Sequence, residues 1–350
     1  MTERDNLLRA VRFERPEYIP MVYHINAACW HHYPPAELED LMAAHPFLFP
    51  EFEPGHRRVE LELGADAVRG RRHRDPWGCR RETTEDGIAT LVTQPALATW
   101  EGFETYRAPD PTATTGVDPV DWDAVAAAFA QARQRGQLRR GGLRHGHTFL
   151  ALTDIRGYES TMLDMADDEP RLRRLIALIE AFNAEVVRRY VELGAEWMGY
   201  ADDLGAQRGP MISPAHFRAY LKPSYERLMA PARQAGCIIH MHSDGDIREL
   251  VWDLIGSGVQ FVNLQDLVNG IDWIRDQLKD KVCIDLDIDR ADVTRFGTPA
   301  QVDDLIRREV RTLGAREGGL MMIYGLYPGV PLENAAALMG AMERYATHWS

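Results

Sequence analysis

The sequence has no long apolar run, few cysteines and no surplus of positive charge, and each absence excludes a class of protein. No window approaches the roughly 18 uninterrupted apolar residues of a transmembrane helix, and the opening Met-Thr-Glu-Arg-Asp-Asn is not a basic segment ahead of an apolar one. The four cysteines include no CxxC pair, which argues against a disulfide framework or a zinc ribbon. We therefore expect a soluble cytoplasmic protein with reduced thiols.

The charge balance restricts the class of partner. The chain carries 40 Lys and Arg against 53 Asp and Glu, a formal net charge of −13. Proteins that bind nucleic acid or anionic membranes through phosphates need a basic face, so both are disfavoured as partners. The hydrophobic content of 45% with 27% charged residues is ordinary for a globular enzyme. We expect a small-molecule substrate, and a homodimer is an open expectation.

The alternation of apolar runs with amphipathic stretches of helical length predicts the fold. The eight runs are Ile19–His24, Ala65–Arg69, Phe149–Thr153, Trp197–Tyr200, Cys237–His242, Phe261–Leu264, Val282–Asp287 and Leu320–Tyr324. The later runs are separated by predicted helices over Glu169–Leu193, Pro214–Gln234, Ile247–Ile255, Ile271–Leu278 and Pro299–Leu313. Such an alternation is typical of a parallel sheet, and eight units favour an α/β fold of the (β/α)8 TIM barrel type. We expect one barrel domain over residues 1–350.

Two long segments are expected as insertions after strands 1 and 2. Residues 26–60 are rich in histidine, proline and aromatics. Residues 71–109 contain Glu85-Asp86-Gly87 between Arg80–Thr84 and Ile88–Thr93, a pattern that predicts a hairpin. Because loops that leave barrel strands emerge at the carboxyl end, both insertions are expected to shape the active site.

Polar residues follow most of the predicted strands, where barrel enzymes place their chemistry. They are His24 and Asn26 (strand 1), Arg69 and Arg71 (strand 2), Asp202 and Asp203 (strand 4), His240, His242 and Asp244 (strand 5), Asp285, Asp287 and Asp289 (strand 7), and Tyr324 (strand 8). Strand alternation puts His240, His242 and Asp244 on one side of strand 5. The catalytic candidates are therefore His242, Asp203, Asp202, Tyr324 and Asp287.

Structural roles compete with these functional ones. His240 lies deeper in the strand and is either a core residue or part of the site. Alternation turns only one of Asp202 and Asp203 inward, and both could instead cap the next turn. Arg69 and Arg71 either bind a substrate carboxylate or belong to a solvated basic loop.

Several motifs resemble one known superfamily. They are Tyr200-Ala-Asp-Asp-Leu-Gly-Ala-Gln207, Met211-Ile-Ser-Pro-Ala-His-Phe-Arg218, His242-Ser-Asp-Gly-Asp-Ile247, Phe296-Gly-Thr-Pro299 and Pro331-Leu-Glu-Asn334, with Arg15-Pro-Glu-Tyr-Ile-Pro20 and Asp75-Pro-Trp-Gly78 near the start. In this order the set is similar to the uroporphyrinogen decarboxylase superfamily. The resemblance agrees with a barrel and covers most of the chain. The substrate-binding candidates are His24, Asn26, Arg69, Arg71, Tyr200 and Gln207.

The sequence departs from both well-known branches of that superfamily. True uroporphyrinogen decarboxylases carry Arg-Gln-Ala-Gly-Arg after the first strand, whereas this chain reads His24-Ile-Asn-Ala-Ala28 without an arginine. Corrinoid-linked methyltransferases bind zinc through a His-x-Cys on strand 5 and a cysteine after strand 8. Here His242 matches the histidine, but Asp244 and Tyr324 stand at the cysteine positions.

The loss of both thiolates changes the metal that the resemblance implies. A histidine and carboxylate set suits a harder ion, so zinc, manganese or iron is expected on His242 and Asp244, with Asp203 or His240 as third ligand. The metal-free alternative makes His242 a proton donor and Asp244 its orienting base.

Three functions remain open at this point. The first is demethylation of a small compound with transfer of the methyl group to a corrinoid protein. No cobalamin motif such as Asp-x-His-x-x-Gly occurs, so any corrinoid would belong to a partner protein. The second is decarboxylation of a small carboxylic acid, with Arg69 or Arg71 on the carboxylate and an aspartate or histidine protonating the carbanion. The third is a binding protein without catalysis.

Overall fold

The computed structural model describes residues 1–54 and 63–348. The strands are β1 Met21–Ile25, β2 Arg72–Arg74, β3 Arg80–Glu85, β4 Ala89–Gln94, β5 Arg140–Gly142, β6 Trp197–Ala201, β7 Gly205–Ala206, β8 Gly209–Pro210, β9 Ile238–Ser243, β10 Phe261–Gln265, β11 Cys283–Asp287 and β12 Leu320–Leu326. The helices are α1 Glu3–Arg12, α2 Cys29–His32, α3 Pro35–Ala44, α4 Trp122–Gln134, α5 Phe149–Arg156, α6 Tyr158–Ala166, α7 Pro170–Glu192, α8 Pro214–His216, α9 Lys222–Gln234, α10 Val251–Ser257, α11 Asp266–Asn269, α12 Ile271–Leu278, α13 Val293–Phe296, α14 Pro299–Leu313 and α15 Leu332–Tyr345. A π-helical turn, Phe217–Leu221, lies between α8 and α9.

The chain divides into two compact units. Unit 1 comprises Met1–Arg71, Thr83–Thr90 and Gln265–Ser350, and unit 2 comprises Arg72–Glu82 and Leu91–Leu264. In unit 1, β12 pairs in parallel with β1 on one side and β11 on the other. Strand β11 is buried along its whole length, as expected for a parallel strand covered on both faces. Helix α14, which begins with a Thr298 and Gln301 capping box, packs against α15.

Unit 2 contains the other parallel strands. Strand β6 lies between β5 and β9, and β9 pairs in turn with β10. In β9 the buried residues alternate with the half-buried His240 and His242. The long amphipathic helix α7 packs against α9.

The expected α/β fold of parallel strands and helices is confirmed, but two of the eight predicted strands are wrong. Phe149–Thr153 belongs to α5, because Asp202 accepts hydrogen bonds from the backbone at the start of this helix. The strand there is β5, whose short Arg-Gly-Gly sequence offers no apolar run. Ala65–Ala67 forms a 3-10 turn, so Arg69 and Arg71 do not follow a parallel strand. The described residues thus contain seven parallel strands instead of eight.

The segment that was predicted to form a hairpin contains a small antiparallel sheet. Its strands lie in the order β2-β3-β4, with Arg72 opposite Glu82. The placement of both insertions over a barrel stays a prediction, and residues 55–60 of the first lie outside the described residues. Within residues 1–54 and 63–348, no helix combines the length and the apolar character needed to cross a bilayer.

Candidate functional site

The candidate site lies in unit 2, where three neighbouring parallel strands end. His145 follows β5, Asp203 follows β6, and His242 lies near the end of β9. Because parallel strands end at the same edge of a sheet, three side chains that are distant in sequence meet here. We call His145, Asp203 and His242 the His–Asp–His cluster.

The cluster converges on one carboxylate oxygen. Nε2 of His145 lies 3.1 Å from Oδ1 of Asp203, and Nε2 of His242 lies 3.5 Å from the same oxygen. Oδ1 of Asp244 is 3.7 Å from Nε2 of His242, and the Asp244 backbone N–H donates to Oδ1 of Asp203 over 3.0 Å. The nitrogen and oxygen atoms of the cluster that can bind a metal ion all lie within 4.8 Å of one another.

Two glycines hold Asp203 and Asp244 together. The turn after β6 touches the turn after β9 so closely that a Cβ at Gly205 would stand 2.6 Å from the Asp244 carbonyl oxygen. A Cβ at Gly245 would stand 2.3 Å from the Gly205 carbonyl carbon, and its φ of +80° also favours glycine. Hydrogen bonds from Gly205 to Asp244 and from Asp246 to Ala206 join the two turns.

The loop that carries His145 is fixed by its neighbours. Gly146 donates its N–H to the Ala201 carbonyl over 2.7 Å. The Arg144 side chain is buried, donates to the Gly146 carbonyl over 2.8 Å, and lies 3.8 Å from a carboxylate oxygen of Asp154. His145 itself keeps 52% of its side chain exposed, so the cluster is accessible to a ligand.

The electrostatics of the cluster follow from burial and charge. Burial by itself would lower the pKa of His242, but the carboxylates of Asp203 and Asp244, together with Asn263, raise that pKa to about 9. Burial opposes ionisation of Asp203, yet the contacts with His145 and His242 hold the pKa of this carboxyl well below its usual range. Nδ1 of His242 faces Oδ1 of Asn263 at hydrogen-bond distance. At neutral pH Asp203 and His242 therefore carry opposite charges.

Asp202, although adjacent to Asp203, points into the core. Its carboxylate accepts the backbone N–H groups of Thr148, Phe149 and Leu150 at 3.1, 2.6 and 3.1 Å. It also accepts the hydroxyl of Tyr225 over 2.6 Å. The Asp202 side chain therefore caps α5 and has a structural role. Of the two adjacent aspartates, only Asp203 belongs to the His–Asp–His cluster.

The other candidates of unit 2 lie outside the cluster. His240 is stacked against Trp197 and Phe261, with ring centroids 4.7 and 5.1 Å apart, so its surroundings are those of a core histidine. Tyr200 is fully buried and donates its hydroxyl to the Leu228 carbonyl over 3.0 Å. Gln207 is exposed between β7 and β8.

The strand-end candidates of unit 1 have partners of their own. Asp287 is buried and pairs with Arg290 over 2.8 Å. Tyr324 is buried against Tyr23, with ring centroids 5.2 Å apart, and burial raises the pKa of its hydroxyl. Asp289, which also follows β11, accepts backbone N–H groups of the turn after it.

Four further candidates of unit 1 lie near its surface. His24 is an exposed residue of β1, and Asn26 accepts the Ala28 N–H over 2.8 Å just before α2. Arg69 and Arg71 are exposed, and Nε of Arg71 lies 3.6 Å from a carboxylate oxygen of Asp66. No ligand role for these four follows from their contacts.

A zinc site with thiolate ligands does not fit these residues. The four cysteines are all buried. Cys29, Cys79 and Cys237 donate their thiols to backbone carbonyls, and burial raises the pKa of Cys29 and Cys79 to about 12. Thiolate chemistry is therefore absent from the His–Asp–His cluster.

The sequence patterns did not predict His145 or Asn263 as site residues. The apolar run Phe149–Thr153 predicts strand 3 there, but the strand is Arg140–Gly142 and His145 follows its end. The signal that could have found it is Arg144-His145-Gly146-His147, two histidines after a pair of glycines. Asn263 is an amide within the apolar run Phe-Val-Asn-Leu, directly opposite His242 in the register.

Comparisons with known proteins agree with this architecture. A protein-family model described as "Uroporphyrinogen decarboxylase (URO-D)" matches residues 76–345. The fold is similar to that of a methyltransferase from Methanosarcina mazei, with 19% identity, a TM-score of 0.64 and coverage of 99% of both chains. A B12-independent methionine synthase from Shewanella sp. W3-18-1 is similar over 66% of this chain and 67% of its own, with 13% identity. Its TM-score of 0.43 supports no conclusion about this protein. Among curated proteins, none matches the sequence significantly.

Proposed function

Since this chain belongs to the uroporphyrinogen decarboxylase family of enzymes, we propose that it is a methyltransferase that demethylates a small compound and passes the methyl group to a corrinoid protein. The observation that carries the proposal is the His–Asp–His cluster, which is accessible at the ends of parallel strands. The likeness of the fold to a methyltransferase over the full length of both chains supports this reaction class.

The reaction sets a clear requirement for the site. The bond between the methyl carbon and its heteroatom breaks, and the heteroatom keeps the bonding electron pair. Cobalt(I) of the partner's corrinoid supplies the pair for the new carbon–cobalt bond. The heteroatom of an ether, a thioether or a neutral amine gains negative charge and ends protonated, whereas a quaternary ammonium nitrogen leaves as a neutral amine; groups that donate a hydrogen bond or a proton to the leaving heteroatom accelerate the step.

The cluster supplies such groups. His145 and His242 both contact Asp203, and in the absence of a bound metal ion both rings can direct an N–H toward a substrate heteroatom. Asp203 and Asp244 stabilise the positive charge on His242, while Asn263 sets the orientation of its ring. Asp203 is thus a positioning residue, and the two histidines are the proposed catalytic residues.

We also propose that residues 1–350 form a single uroporphyrinogen decarboxylase-like barrel domain, in which the cluster lies at the carboxyl ends of parallel strands. In TIM barrels the active site lies at this end in essentially every characterised enzyme.

Decarboxylation of a small carboxylic acid is the second candidate, because the description of the family names a decarboxylase. The arginines expected to bind the carboxylate, Arg69 and Arg71, are exposed in unit 1, and His24-Ile-Asn-Ala-Ala28 contains no arginine. Binding of a substrate carboxylate would therefore need a different cationic side chain. We therefore rank methyl transfer first.

The test is an anaerobic assay of the purified full-length chain with free cob(I)alamin as acceptor. The substrates are methylated amines, ethers, thioethers and quaternary ammonium compounds, and a parallel set of small carboxylic acids is assayed for CO2. Methylcobalamin is followed by its absorbance and the demethylated product by mass spectrometry.

The expected result is formation of methylcobalamin that Asp203→Asn strongly reduces. The matched control is Asp276→Asn, an exposed carboxylate beside Arg275, which should leave the rate unchanged. Release of CO2 without methyl transfer would establish the decarboxylase instead. Methyl transfer at the full rate in Asp203→Asn would show that the cluster is not the site.

A further inference from the structure

We infer that His145, Asp203 and His242 bind one divalent metal ion, with Asp244 in reach as a further ligand. This inference goes beyond methyl transfer, because binding of the ion depends on the geometry of these residues and on no particular substrate. It differs from the thiolate zinc site that the family resemblance implies, since only His242 is common to both sets.

The distances within the cluster are those of a metal coordination sphere. Zinc lies about 2.0–2.2 Å from histidine nitrogens and carboxylate oxygens. Two ligands at such distances, at angles between octahedral and tetrahedral, stand roughly 3.0–3.5 Å apart. Two separations, 3.1 Å from His145 to Asp203 and 3.5 Å from His242 to Asp203, fall in this range. The ligand atoms of all three residues lie within 4.8 Å of one another, so small side-chain adjustments let one ion contact all three.

The ring of His242 has the orientation of a metal ligand. Its Nδ1 faces Oδ1 of Asn263, on the neighbouring strand β10, so the neutral ring donates this proton and keeps the lone pair of Nε2 for the cluster. Metal-binding histidines almost always donate their second ring nitrogen in this way. Asn263 is the acceptor that such a site requires.

The number and charge of the ligands suit a catalytic ion. Two imidazoles and one carboxylate leave coordination positions open for water or substrate, as in catalytic zinc and non-haem iron sites. Asp244 lies 3.7 Å from Nε2 of His242 with 41% of its side chain exposed, so it can rotate toward the ion. A divalent cation would also balance the two carboxylates, Asp203 and Asp244.

The structure changes one ligand of the set expected from the sequence. The sequence makes His240 a candidate third ligand, but its ring packs against Trp197 and edge-to-face against Phe261. His145 takes this place, from the loop after β5. Because imidazole and carboxylate donors suit several first-row ions, the predicted ligand is a divalent ion such as zinc, manganese or iron(II).

The experiment measures metal binding directly. The full-length chain is stripped with a chelator and titrated anaerobically with Zn²⁺, Mn²⁺ and Fe²⁺, and bound metal is determined by equilibrium dialysis and elemental analysis. Co²⁺ serves as a spectroscopic probe of ligand number. We expect one ion per chain at micromolar free metal.

The variants decide which residues hold the ion. Uptake should be lost in His145→Ala and Asp203→Ala, and Asn263→Ala should weaken it about 10–100-fold, as expected for a residue that orients a ligand. His32→Ala, which removes an exposed histidine of α2, is the matched control and should bind normally. Circular dichroism of each variant checks that the chain is folded.

Two results would overturn the inference. One is no uptake of any of the three ions by the folded wild-type chain at micromolar metal. The other is full uptake by both His145→Ala and Asp203→Ala. Metal binding without methyl transfer would count against the proposed function alone, whereas methyl transfer in metal-free protein would count against a catalytic role of the ion.

Discussion

Replacing Asp202 by alanine should destabilise the protein far more than the same change at Asp203, although the two residues are adjacent. The Asp202 carboxylate accepts three backbone N–H groups at the start of α5 and the hydroxyl of Tyr225; all of these contacts are buried except that of Leu150, which is part-buried. Loss of a helix cap costs about 0.5–2 kcal/mol, and each buried donor left without an acceptor costs about 1–3 kcal/mol. Because water reaches some of these groups after the change, we expect a loss on the order of 4 kcal/mol.

Thermal unfolding followed by circular dichroism measures this difference. At about 2–4 °C per kcal/mol, Asp202→Ala should lower Tm by roughly 8–16 °C. Asp203 has a side chain that is 21% exposed, and its partner His145 reaches water, so Asp203→Ala should lower Tm by less than about 4 °C. Asp202→Asn keeps one acceptor oxygen and should give an intermediate value.

Metal uptake should also distinguish the two aspartates. The Asp202→Asn chain, where it is folded, should still take up metal, whereas Asp203→Ala should not. Equal Tm changes in the two alanine variants, or a change below about 4 °C in Asp202→Ala, would refute the assignment of Asp202 to the core.

Three further predictions concern buried groups. Burial and a neighbouring carboxylate raise the pKa of Glu309, so the folded chain holds a proton that the unfolded chain releases above about pH 4; stability should fall as pH rises from 5 to 8, and Glu309→Gln should make this fall smaller in a series of Tm measurements. His240→Ala should cost about 2–3 kcal/mol in a denaturant titration, because the ring is stacked on Trp197, while metal uptake stays normal; an unchanged midpoint would contradict the core assignment. Cys29 and Cys79, whose burial raises their pKa to about 12, should react with a thiol reagent at pH 7 only as fast as the chain opens, and rapid labelling of the native protein would disagree with this.

Local sequence patterns determined much of this protein. Apolar runs bounded by turn residues identify β6, β9, β10, β11 and β12 closely. A parallel strand that is buried on both faces needs several consecutive apolar residues, and such a run is visible in the sequence. The spacing His242-x-Asp244 brings two groups of the site region to the end of β9, His242 within the strand and Asp244 directly after it. The family motifs, which are also local strings, led to the same superfamily as the match over residues 76–345.

The tertiary structure decided which of the polar strand ends meet. Asp202 and Asp203 look equivalent in the sequence, yet one caps α5 and the other contacts two histidines, because the chain direction after β6 turns them to opposite sides. His145 joins the site from a strand of three residues that carries no hydrophobic pattern, and it lies near His242 only because β5 and β9 both pair with β6. Hydrophobic periodicity reports burial along one segment, whereas a binding site depends on the register and the close approach of several segments, and those are properties of the folded chain.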